Sequence, residues 1–511
     1  MDTVGFLISN GRGAGTSTEV LAKEILAHAI SANYWSSTEN SENNAWNVNF
    51  SNGNVNNNNN KYNSNAIRAV AALGLEVKIG WLEAYHDCCS NKKSSFDCNR
   101  YRTQYALDLW LLIYEIYTKT YKPGPSTCFI VTFPKLREVF AAAFRDRIVH
   151  HWICLRLNPL FEARFNAQGN VSHNCRKGFG TSSAVSAFNR DVCVVTLHCT
   201  RKAYIGRFDI KAFFMSIDPR ILWELLRPFI VENYKGDDID TLLYLTEVVL
   251  MNRPQDNCVK QSPEELFKAL APGKSLFNSE TGVPIGNLPS QLFANFLLSF
   301  LDEEMAKLEK LIGPEDFRYE RYVDDFTVVC VWQEVILSIR PIIEQLLLCK
   351  LGLTLHPDKF YLQDAGKGAA FVGSVVKQGR VYLSNRTVHG LHCALDVLQD
   401  VCVEITEKGA NETRLKLLEH CVCSVNSYLG FTAHCNAYSI RRQAFARLDP
   451  RCWQVCYTKD DTLACVKIKK QYQLKNYLLE QEIKEYDLVL RQRKTRQRRK
   501  AHKAGPDPAH S

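Results

Sequence analysis

Apolar and polar residues follow two kinds of pattern along the chain, and both predict regular structure. Apolar side chains recur at the three- and four-residue intervals of helices in four segments: 103–120, 136–158, 289–312 and 386–446. Short apolar runs predict strands at 128–133, 203–209 and 327–332. A hairpin is predicted over 368–384, and an amphipathic to basic helix or tail over 466–500.

The order of these elements predicts the fold class. Early helices are followed by a strand that ends at Asp209, a long helix, and a hairpin with Asp324 and Asp325 at its turn. Further helices complete the chain. This succession is typical of an α+β fold in which a central sheet is flanked by helical parts.

Length and composition indicate a globular protein with more than one domain or subdomain. The chain has 511 residues, of which 46% are hydrophobic. The formal net charge is +9, and residues 491–511 supply +7 of it through eight Lys or Arg and one acid. A nucleic-acid groove in the rest of the chain therefore requires local clustering of basic residues. The basic run 491–503 is expected to bind phosphate non-specifically.

The sequence shows no signal peptide and no apolar run long enough for a membrane span, so a cytoplasmic protein is expected. The 19 scattered Cys residues favour reduced thiols. A zinc site is an alternative interpretation of one cluster: His420, Cys421, Cys423, His434 and Cys435. Its spacings differ from the usual pairs of zinc ligands, and the segment has the pattern of an apolar helix, so the helix is favoured.

Residues 33–65 differ in composition from the rest of the chain. Asn dominates this segment, with Ser and interspersed Trp and Tyr. Asn favours turns and is a poor core residue. The composition therefore predicts a disordered or loop-rich extension over residues 1–79.

Three carboxylates are the strongest candidates for chemistry. Asp324 and Asp325 lie at a predicted β-turn, where adjacent like charges are unfavourable unless a cation neutralises them. Asp209 ends a strand and precedes Phe213 and Phe214. An ordinary Asp-Asp turn and a helix-capping Asp are the structural alternatives. Together, the three acids suit two Mg²⁺ ions, with Mn²⁺ as a substitute, which promote phosphoryl transfer.

With these motifs, the chain resembles a bacterial reverse transcriptase of the group II intron and retron type. The YVDD sequence at 322–325 and the strand-ending Asp209 match that family's palm motifs, and the resemblance runs from about 80 to about 450. It implies a right-hand polymerase that makes DNA from dNTPs on an RNA template. The implied domains are fingers and palm over 80–385, a helical thumb over 386–465 and a basic tail over 466–511.

The resemblance also implies roles for residues at the acid cluster. Asp209 and Asp324 would be the principal metal ligands, Asp325 would complete the site, and the backbone carbonyl of Ile210 would contact metal. The Phe214 ring would lie under the incoming sugar and exclude a 2′-hydroxyl. Either this ring or its neighbour is expected to be a core residue.

Basic residues are expected to handle the phosphates. Arg176 and Lys177 lie where residues of the family's fingers bind the triphosphate, which Arg can contact with two hydrogen bonds. A solvated basic turn is the alternative. Lys359 resembles the lysine that follows the paired acids in the family, a candidate general acid for pyrophosphate.

Other segments resemble flanking parts of the same family. Residues 134–138 and 145–147 resemble motifs of the fingers, and residues 371–374 resemble the primer-grip hairpin. Arg441 and Arg442, in a segment similar to the thumb, are candidates for contact with the template–primer backbone. A solvated helix face is the alternative for both arginines.

Residues 282–291, GVPIGNLPSQ, distinguish between kinds of reverse transcriptase. Group II intron and retron enzymes usually have Gln before the second Gly and Pro after the Ser, whereas this chain has Ile285 and Gln291. That departure resembles the reverse transcriptases of diversity-generating retroelements. In relatives this loop lines the nascent nucleotide, so Ile285, Gly286 and Gln291 are expected there. Replacing an amide with an aliphatic side chain predicts looser base selection.

The Asn-rich segment resembles the variable tail of the lectin-like targets of these retroelements. Asn codons are rich in adenine, and these systems mutate preferentially at adenines. Residues from about 29 to 73 are therefore interpreted as a translated template repeat. A flexible Asn-rich extension that binds another molecule is the alternative.

The implied function is error-prone, adenine-directed cDNA synthesis for protein diversification in a bacterium or phage. The implied partners are template-repeat RNA, the cDNA or DNA, and a small basic accessory protein that forms an oligomeric ring; no membrane is involved. A retron, group II intron or phage-defence reverse transcriptase is the alternative. A catalytically inactive RNA-binding scaffold is disfavoured because all three carboxylates are present.

Overall fold

The computed structural model of the protein describes these residues: 33–39, 44–49, 55–60, 75–90, 96–132, 135–377 and 379–482. Its helices, in chain order, are α1 (Leu75–Cys89), α2 (Phe96–Thr103), α3 (Tyr105–Tyr117), α4 (Phe144–Ala167), α5 (Thr181–Val195), α6 (Phe213–Ser216), α7 (Pro219–Asn233), α8 (Ile239–Met251), α9 (Glu264–Lys268), α10 (Leu288–Ile312), α11 (Gln333–Leu351), α12 (Asn385–Lys408), α13 (Glu412–Thr432), α14 (Tyr438–Ala446) and α15 (Cys452–Val455).

The strands, also in chain order, are β1 (Asn33–Glu39), β2 (Asn44–Asn49), β3 (Val55–Asn60), β4 (Ser126–Val131), β5 (Arg137–Ala141), β6 (Tyr204–Asp209), β7 (Cys258–Lys260), β8 (Phe317–Tyr322), β9 (Asp325–Cys330), β10 (Tyr361–Asp364), β11 (Ala369–Phe371), β12 (Ser374–Lys377), β13 (Arg380–Leu383), β14 (Cys456–Thr458) and β15 (Val466–Ile468). Helices and mainly antiparallel sheets alternate along the chain, which confirms the predicted α+β class.

The Asn-rich segment contains strands where disorder was predicted. β1, β2 and β3 pair in that order as an antiparallel sheet. Backbone hydrogen bonds between strands do not depend on side-chain type, and the Trp, Tyr and Val residues spaced among the Asn residues favour strands. The predicted template repeat, about 29 to 73, lies partly outside the described residues.

Most of the predicted helices and strands are confirmed, but the predicted helix at 136–158 is wrong at its start. Residues Arg137–Ala141 form β5, and the helix α4 begins only at Phe144. β5 pairs with β4 as an antiparallel hairpin, with Phe129 opposite Val139, and β7 lies parallel to β4 on the other side. Pairing with β4 satisfies the backbone of residues whose apolar spacing alone suggested a helix.

A four-stranded antiparallel sheet forms the centre of the protein. Its strand order is β10-β6-β9-β8. Phe208 on β6 is paired with Phe326 on β9, and their rings stack with centroids 5.0 Å apart. A cross-strand aromatic pair of this kind favours one register, since a slip of one residue would turn the ring on the shifted strand away from the core.

The long helix α10 packs beneath this sheet. Its buried face includes Leu292, Phe293, Phe296, Leu297 and Leu301. Together with residues of α1, α4, α7 and the sheet, they belong to one large hydrophobic cluster. The sheet and its acid-bearing ends therefore rest on a rigid, close-packed support.

The C-terminal helices have a hydrophobic cluster of their own, which extends from Leu391 to Val466. The predicted hairpin before them is confirmed as a three-stranded antiparallel sheet, β11-β12-β13. The predicted helix at 466–500 is wrong at its start, because β15 at Val466–Ile468 pairs with β14. Residues 474–482 are helical. The basic run 491–503 lies outside the described residues.

Within the described part of the chain, the helices are all too short or too polar to cross a lipid bilayer.

Candidate active site

The three predicted acids meet at one end of the central sheet. β8 ends at Tyr322 and β9 begins at Asp325, so Val323 and Asp324 form the two-residue turn between them. The register of the Phe208–Phe326 pair places Asp209 directly opposite Asp325. Asp209 and Asp325 lie on the face of the sheet opposite the stacked rings, because neighbouring residues on a strand point to opposite faces.

Burial and mutual repulsion disfavour negative charge on the turn acids. Burial raises the pKa of Asp324, and the nearby carboxylate of Asp209 raises it further, while Lys359 and Arg137 oppose the shift. Burial likewise raises the pKa of Asp325 to about 6; Arg207 opposes the shift, and the other two acids add to it. A cation bound between these carboxylates would offset their repulsion and favour their charged forms.

Two basic side chains contact the acids. The ammonium group of Lys359 donates to Oδ2 of Asp209. Nε of Arg207 donates to Oδ1 of Asp325 over 3.1 Å, and its Nη1 donates to the carbonyl of Ala370 over 2.9 Å. Lys359 therefore lies beside Asp209, and its role as a general acid stays a prediction.

The donor atoms fit magnesium in type, since carboxylate oxygens are the hard ligands that this ion prefers. Among the residues that the structure describes, no group of three or more His, Cys, Asp or Glu is arranged to hold a metal ion. Asp209 and Asp325 instead contact Lys359 and Arg207. Metal binding therefore requires Asp209 and Asp325 to exchange these basic partners for an ion.

The backbone of Ile210 lies beside the acids. Ile210 forms an isolated antiparallel bridge with Leu355. The flanking hydrogen bonds, from His356 N to the Asp209 carbonyl and from Lys211 N to the Thr354 carbonyl, do not use the Ile210 carbonyl. This arrangement is compatible with the predicted contact between that carbonyl and metal.

The two phenylalanines after Asp209 differ in burial. Phe213 is 3% exposed and belongs to the main core, whereas Phe214 is half-buried. Ala212 adopts the left-handed backbone region, with φ of 49°, before this short helix α6. The expectation that one of the two rings is a core residue is confirmed for Phe213.

The loop at 282–287 is attached to the hairpin β4–β5. Phe140 N donates to the Ile285 carbonyl over 2.8 Å, and the Ile285 side chain packs in a small cluster that contains Phe140. Gly286 has a φ of 115°, and a Cβ there would lie 2.6 Å from the Phe140 carbonyl oxygen. The positive φ and the close approach of the two backbones therefore require glycine at position 286.

Gln291 lies in the first turn of α10 and is exposed. Its Oε1 accepts a hydrogen bond from Sγ of Cys175 over 3.3 Å. Cys175 has a left-handed backbone, with φ of 55°. Burial raises the pKa of Tyr322, and the nearby Cys175 raises it further. Gln291 thus lies near the acid turn, in contact with the loop that precedes α5.

Arg176, which was predicted to bind the triphosphate, is a buried structural residue. Its side chain is 0% exposed. Its guanidinium donates to both carboxylate oxygens of Glu162, to Asn166 and Asn170, and to the carbonyl of Ser172. With its donors engaged in this way, it does not face a phosphate.

Two exposed basic residues are better placed. Lys177, the neighbour of Arg176, is exposed on the same loop. Arg137 is exposed at the start of β5 and lies close enough to Asp324 to lower that acid's pKa. Arg137 belongs to a segment that resembles a fingers motif, but no role was predicted for it. In the structure Glu138 is buried, and alternation along β5 therefore turns Arg137 outward.

The two arginines predicted to contact the template–primer backbone also differ in burial. Arg441 is 8% exposed and donates to the carbonyls of Thr432 and Thr462, so it supports the C-terminal helices and does not face a nucleic acid. Arg442 is exposed. The segment at 371–374 forms the tight turn between β11 and β12, with Val372 and Gly373 both left-handed.

Comparisons with known proteins give distant likenesses. No protein-family model matches the chain. Protein YkfC of Escherichia coli strain K12 is 23% identical over 300 residues, which cover 52% of this chain and 71% of that protein.

Among solved structures, apo telomerase from Candida tropicalis is similar with a TM-score of 0.40 and 14% identity, covering 65% of this chain and 57% of that chain. Telomerase from Candida albicans in complex with the TWJ fragment of telomeric RNA gives 0.36 and 13%, covering 65% and 64%. This chain thus spans less than two thirds of those telomerase chains.

Proposed function

We propose that this protein is an RNA-directed DNA polymerase whose active site is the acid cluster at the end of the central sheet. The observation that supports this most strongly is the register of β6 and β9. It places Asp209 opposite Asp325, with Asp324 at the adjoining turn. Three mutually repelling carboxylates on a rigid sheet suit a reaction that is promoted by positioning and charge neutralisation.

Asp209 and Asp324 are the proposed principal ligands of two magnesium ions, and Asp325 and the Ile210 carbonyl complete the set. Manganese is a proposed substitute. When bound, the ions supply a more acidic primer 3′-hydroxyl and neutralise charge on the leaving pyrophosphate. The protein's part is to hold the acids in register before the ions bind, so that little reorganisation is needed during the reaction.

Side chains around the acids have proposed roles toward the dNTP. Lys359, which contacts Asp209, is proposed to give a proton to the leaving pyrophosphate. Lys177 and Arg137 are exposed cations suited to bind the triphosphate. The half-buried ring of Phe214 is proposed to exclude a 2′-hydroxyl from the sugar site.

Within this class, we infer a polymerase of a diversity-generating retroelement, which copies template-repeat RNA into cDNA with errors at adenines. The support is Ile285, whose backbone is held to β5 and whose side chain offers no hydrogen bond to a base. A small basic accessory protein in an oligomeric ring is the proposed partner. Residues from about 29 to 73 are proposed to be a translated template repeat.

A primer-extension assay tests the acid cluster. With a primed RNA, Mg²⁺ and labelled dNTPs, we expect Asp324→Asn to lose at least about a hundredfold in rate, because the variant lacks a metal-binding charge. Asp237→Asn, which changes an exposed loop acid to the same amide, is the matched control and should extend normally. Extension by Asp324→Asn at the control rate would contradict the assignment, and inactivity of the wild type would favour an RNA-binding scaffold.

A further inference from the structure

A fully buried arginine lies directly behind the acid turn. Arg321, the residue before Tyr322 on β8, has a side chain that is 0% exposed. Its Nε donates to Oδ1 of Asp302 over 2.7 Å, and its Nη2 donates to the other oxygen of the same carboxylate. Asp302 belongs to α10, and its side chain is 1% exposed. The pair therefore joins the sheet to the supporting helix through two parallel hydrogen bonds.

The remaining donors of Arg321 reach two further groups. Nη1 donates to the carbonyl of Val323 over 3.0 Å. Nη2 also donates to Oδ1 of Asn295, again over 3.0 Å. Asp302 receives a third hydrogen bond, from the hydroxyl of Tyr319 over 2.9 Å. The guanidinium is thus bonded on both edges, and its orientation is fixed.

The contact with Val323 acts on a strained part of the chain. Val323 has a φ of 57°, in the left-handed region that β-branched residues rarely adopt. Such a conformation persists only where the surroundings fix it. The Val323 carbonyl shares a peptide plane with the amide nitrogen of Asp324, so a donor that holds this carbonyl also sets the direction in which Asp324 leaves the turn.

The same network reaches the loop that carries Lys177. Asn295 accepts from Arg321 and from Oγ of Ser172, the latter over 2.6 Å, and its Nδ2 donates to the Asn174 carbonyl over 3.0 Å. Asn295 and Asp302 are two turns apart on α10. One helix therefore holds both the acid turn and the basic loop.

We propose that Arg321, held by Asp302, is a positioning residue that keeps the Val323–Asp324 peptide in the orientation that metal binding by Asp324 requires. The inference rests on the proposed polymerase function. Arg321 contacts neither substrate nor metal; it acts through the turn. The pair is not explained by stability alone, because replacing a buried ion pair with apolar residues of similar size is often neutral or stabilising.

That property gives a discriminating variant. Tyr319→Phe, Arg321→Met and Asp302→Leu together remove the ion pair and the Tyr319 hydroxyl, which would otherwise lose its acceptor. Asn295 keeps its hydrogen bond from Ser172, and the Val323 carbonyl is the group that loses its donor. We expect this triple variant to fold but to lose roughly a hundredfold in kcat, because a small misplacement of a catalytic group has an effect of this size. KM for the dNTP and affinity for the primed template should be unchanged.

A second readout does not depend on activity. In the metal-free protein, hydrogen exchange at residues 322–325 should be faster in the triple variant than in the wild type, while exchange in the core of β9 is unchanged. If the ion pair only stabilised the fold, its removal would change exchange throughout the sheet and not selectively at residues 322–325.

The matched control is the pair Arg201 and Asp316, near the opposite end of β8. Arg201 Nη1 lies 2.7 Å from Asp316 Oδ1, and the guanidinium also donates to the carbonyls of Val195 and Glu315. Arg201→Met with Asp316→Leu removes an Arg–Asp pair that is partly exposed and far from the acid turn, and it should leave kcat and exchange at 322–325 unchanged.

The outcomes separate the two proposals. A folded triple variant with wild-type kcat and wild-type exchange at the turn would overturn the role of Arg321. Absence of extension by the wild type would overturn the polymerase function instead. If the triple variant does not fold, Arg321→Lys decides: it keeps the charge beside Asp302 but lacks the fork that reaches Val323, so a folded protein with reduced kcat is expected. Wild-type kcat in that variant would contradict the inference.

Discussion

The basic residues near the acid turn form a buried group and an exposed group. Arg176 is fully buried, with its guanidinium bonded to Glu162 and to loop oxygens, whereas Lys177 beside it is exposed. A buried arginine with satisfied donors holds a loop together, while an exposed lysine on the same loop is free to meet a phosphate. Adjacent cations thus have separable roles.

The two roles predict different defects. Lys177→Ala should raise KM for the dNTP roughly tenfold through loss of one phosphate contact, with unchanged thermal stability. Arg176→Ala should instead lower the free energy of unfolding by about 2–4 kcal/mol, because Glu162 and the loop oxygens lose their donors. Steady-state kinetics and urea unfolding of both variants measure this. A stable Arg176→Ala protein with raised KM would show that the assignments are reversed.

At this scale, the sequence predicts the identity of the acids better than that of the cations. Asp209, Asp324 and Asp325 are recognisable because strand ends and turns place them before any packing is known. Arg176 and Arg441 lie in polar segments whose pattern is the same whether the guanidinium points to solvent or inward. Only the positions of their acceptors, set by the folded chain, distinguish these cases.

At the scale of elements, the loop at 282–287 is held against β5 through the backbone of Ile285, the residue proposed to line the nucleotide. Ile285→Gln should lower misincorporation opposite template adenine roughly tenfold, because one added hydrogen bond to the base pair contributes about that much discrimination. Single-nucleotide misincorporation assays measure this. Leu288→Gln, an exposed residue in the first turn of α10, is the control and should leave fidelity unchanged. Equal error rates in all three proteins would remove the support for Ile285.

The strand β8 and the helix α5 meet at a buried titratable cluster. Burial raises the pKa of Glu320 to about 8, although Arg190 opposes the shift. Burial lowers the pKa of His173, which contacts Glu320 over 2.7 Å, to about 4. Both the acid and the histidine are thus neutral in the fold near pH 6. The charged or titratable groups around Glu320 are His173, Arg190, Asp191, Glu309 and Arg318.

This cluster predicts a pH dependence of stability. Unfolded Glu320 titrates near 4.5, so between about 4.5 and about 8 the fold retains a proton that the unfolded chain has released. The contribution of Glu320 to stability therefore falls as pH rises through this window, by about 1.4 kcal/mol per unit of pKa shift. The lowered pKa of His173 gives a contribution of the opposite sign, which rises with pH between about 4 and the ordinary value of 6.5. Urea unfolding from about pH 5 to about pH 8 should show Glu320→Gln losing less stability than the wild type or an exposed-site control, Glu334→Gln. Parallel curves for all three proteins would contradict the prediction.

Helices and strands are predictable from the sequence where local apolar spacing alone determines them. The helix α10 and the strands β6 and β9 follow directly from apolar spacing. β5 was predicted as part of a helix because its pairing with β4 is a non-local effect that overrides local periodicity. The register of β6 with β9, on which the acid site depends, is set by the Phe208–Phe326 pair across strands and is not visible along either strand alone.

At the scale of the whole molecule, the main core and the C-terminal cluster are separate hydrophobic units. The helix α12 begins at Asn385, and the division of the chain into palm and thumb near residue 386 stays a prediction. Hydrophobic spacing predicts that helices follow the sheet. It does not predict where their faces pack, because that depends on contacts between distant segments.

The central claim is that the acid cluster copies RNA into DNA. The most direct measurement is to supply the wild-type protein with a primed RNA of defined sequence, Mg²⁺ and all four dNTPs, and to sequence the product. We predict DNA complementary to the RNA, with errors concentrated opposite adenine. No product, an RNA product from added ribonucleotides, or a product whose sequence is independent of the template would contradict the account.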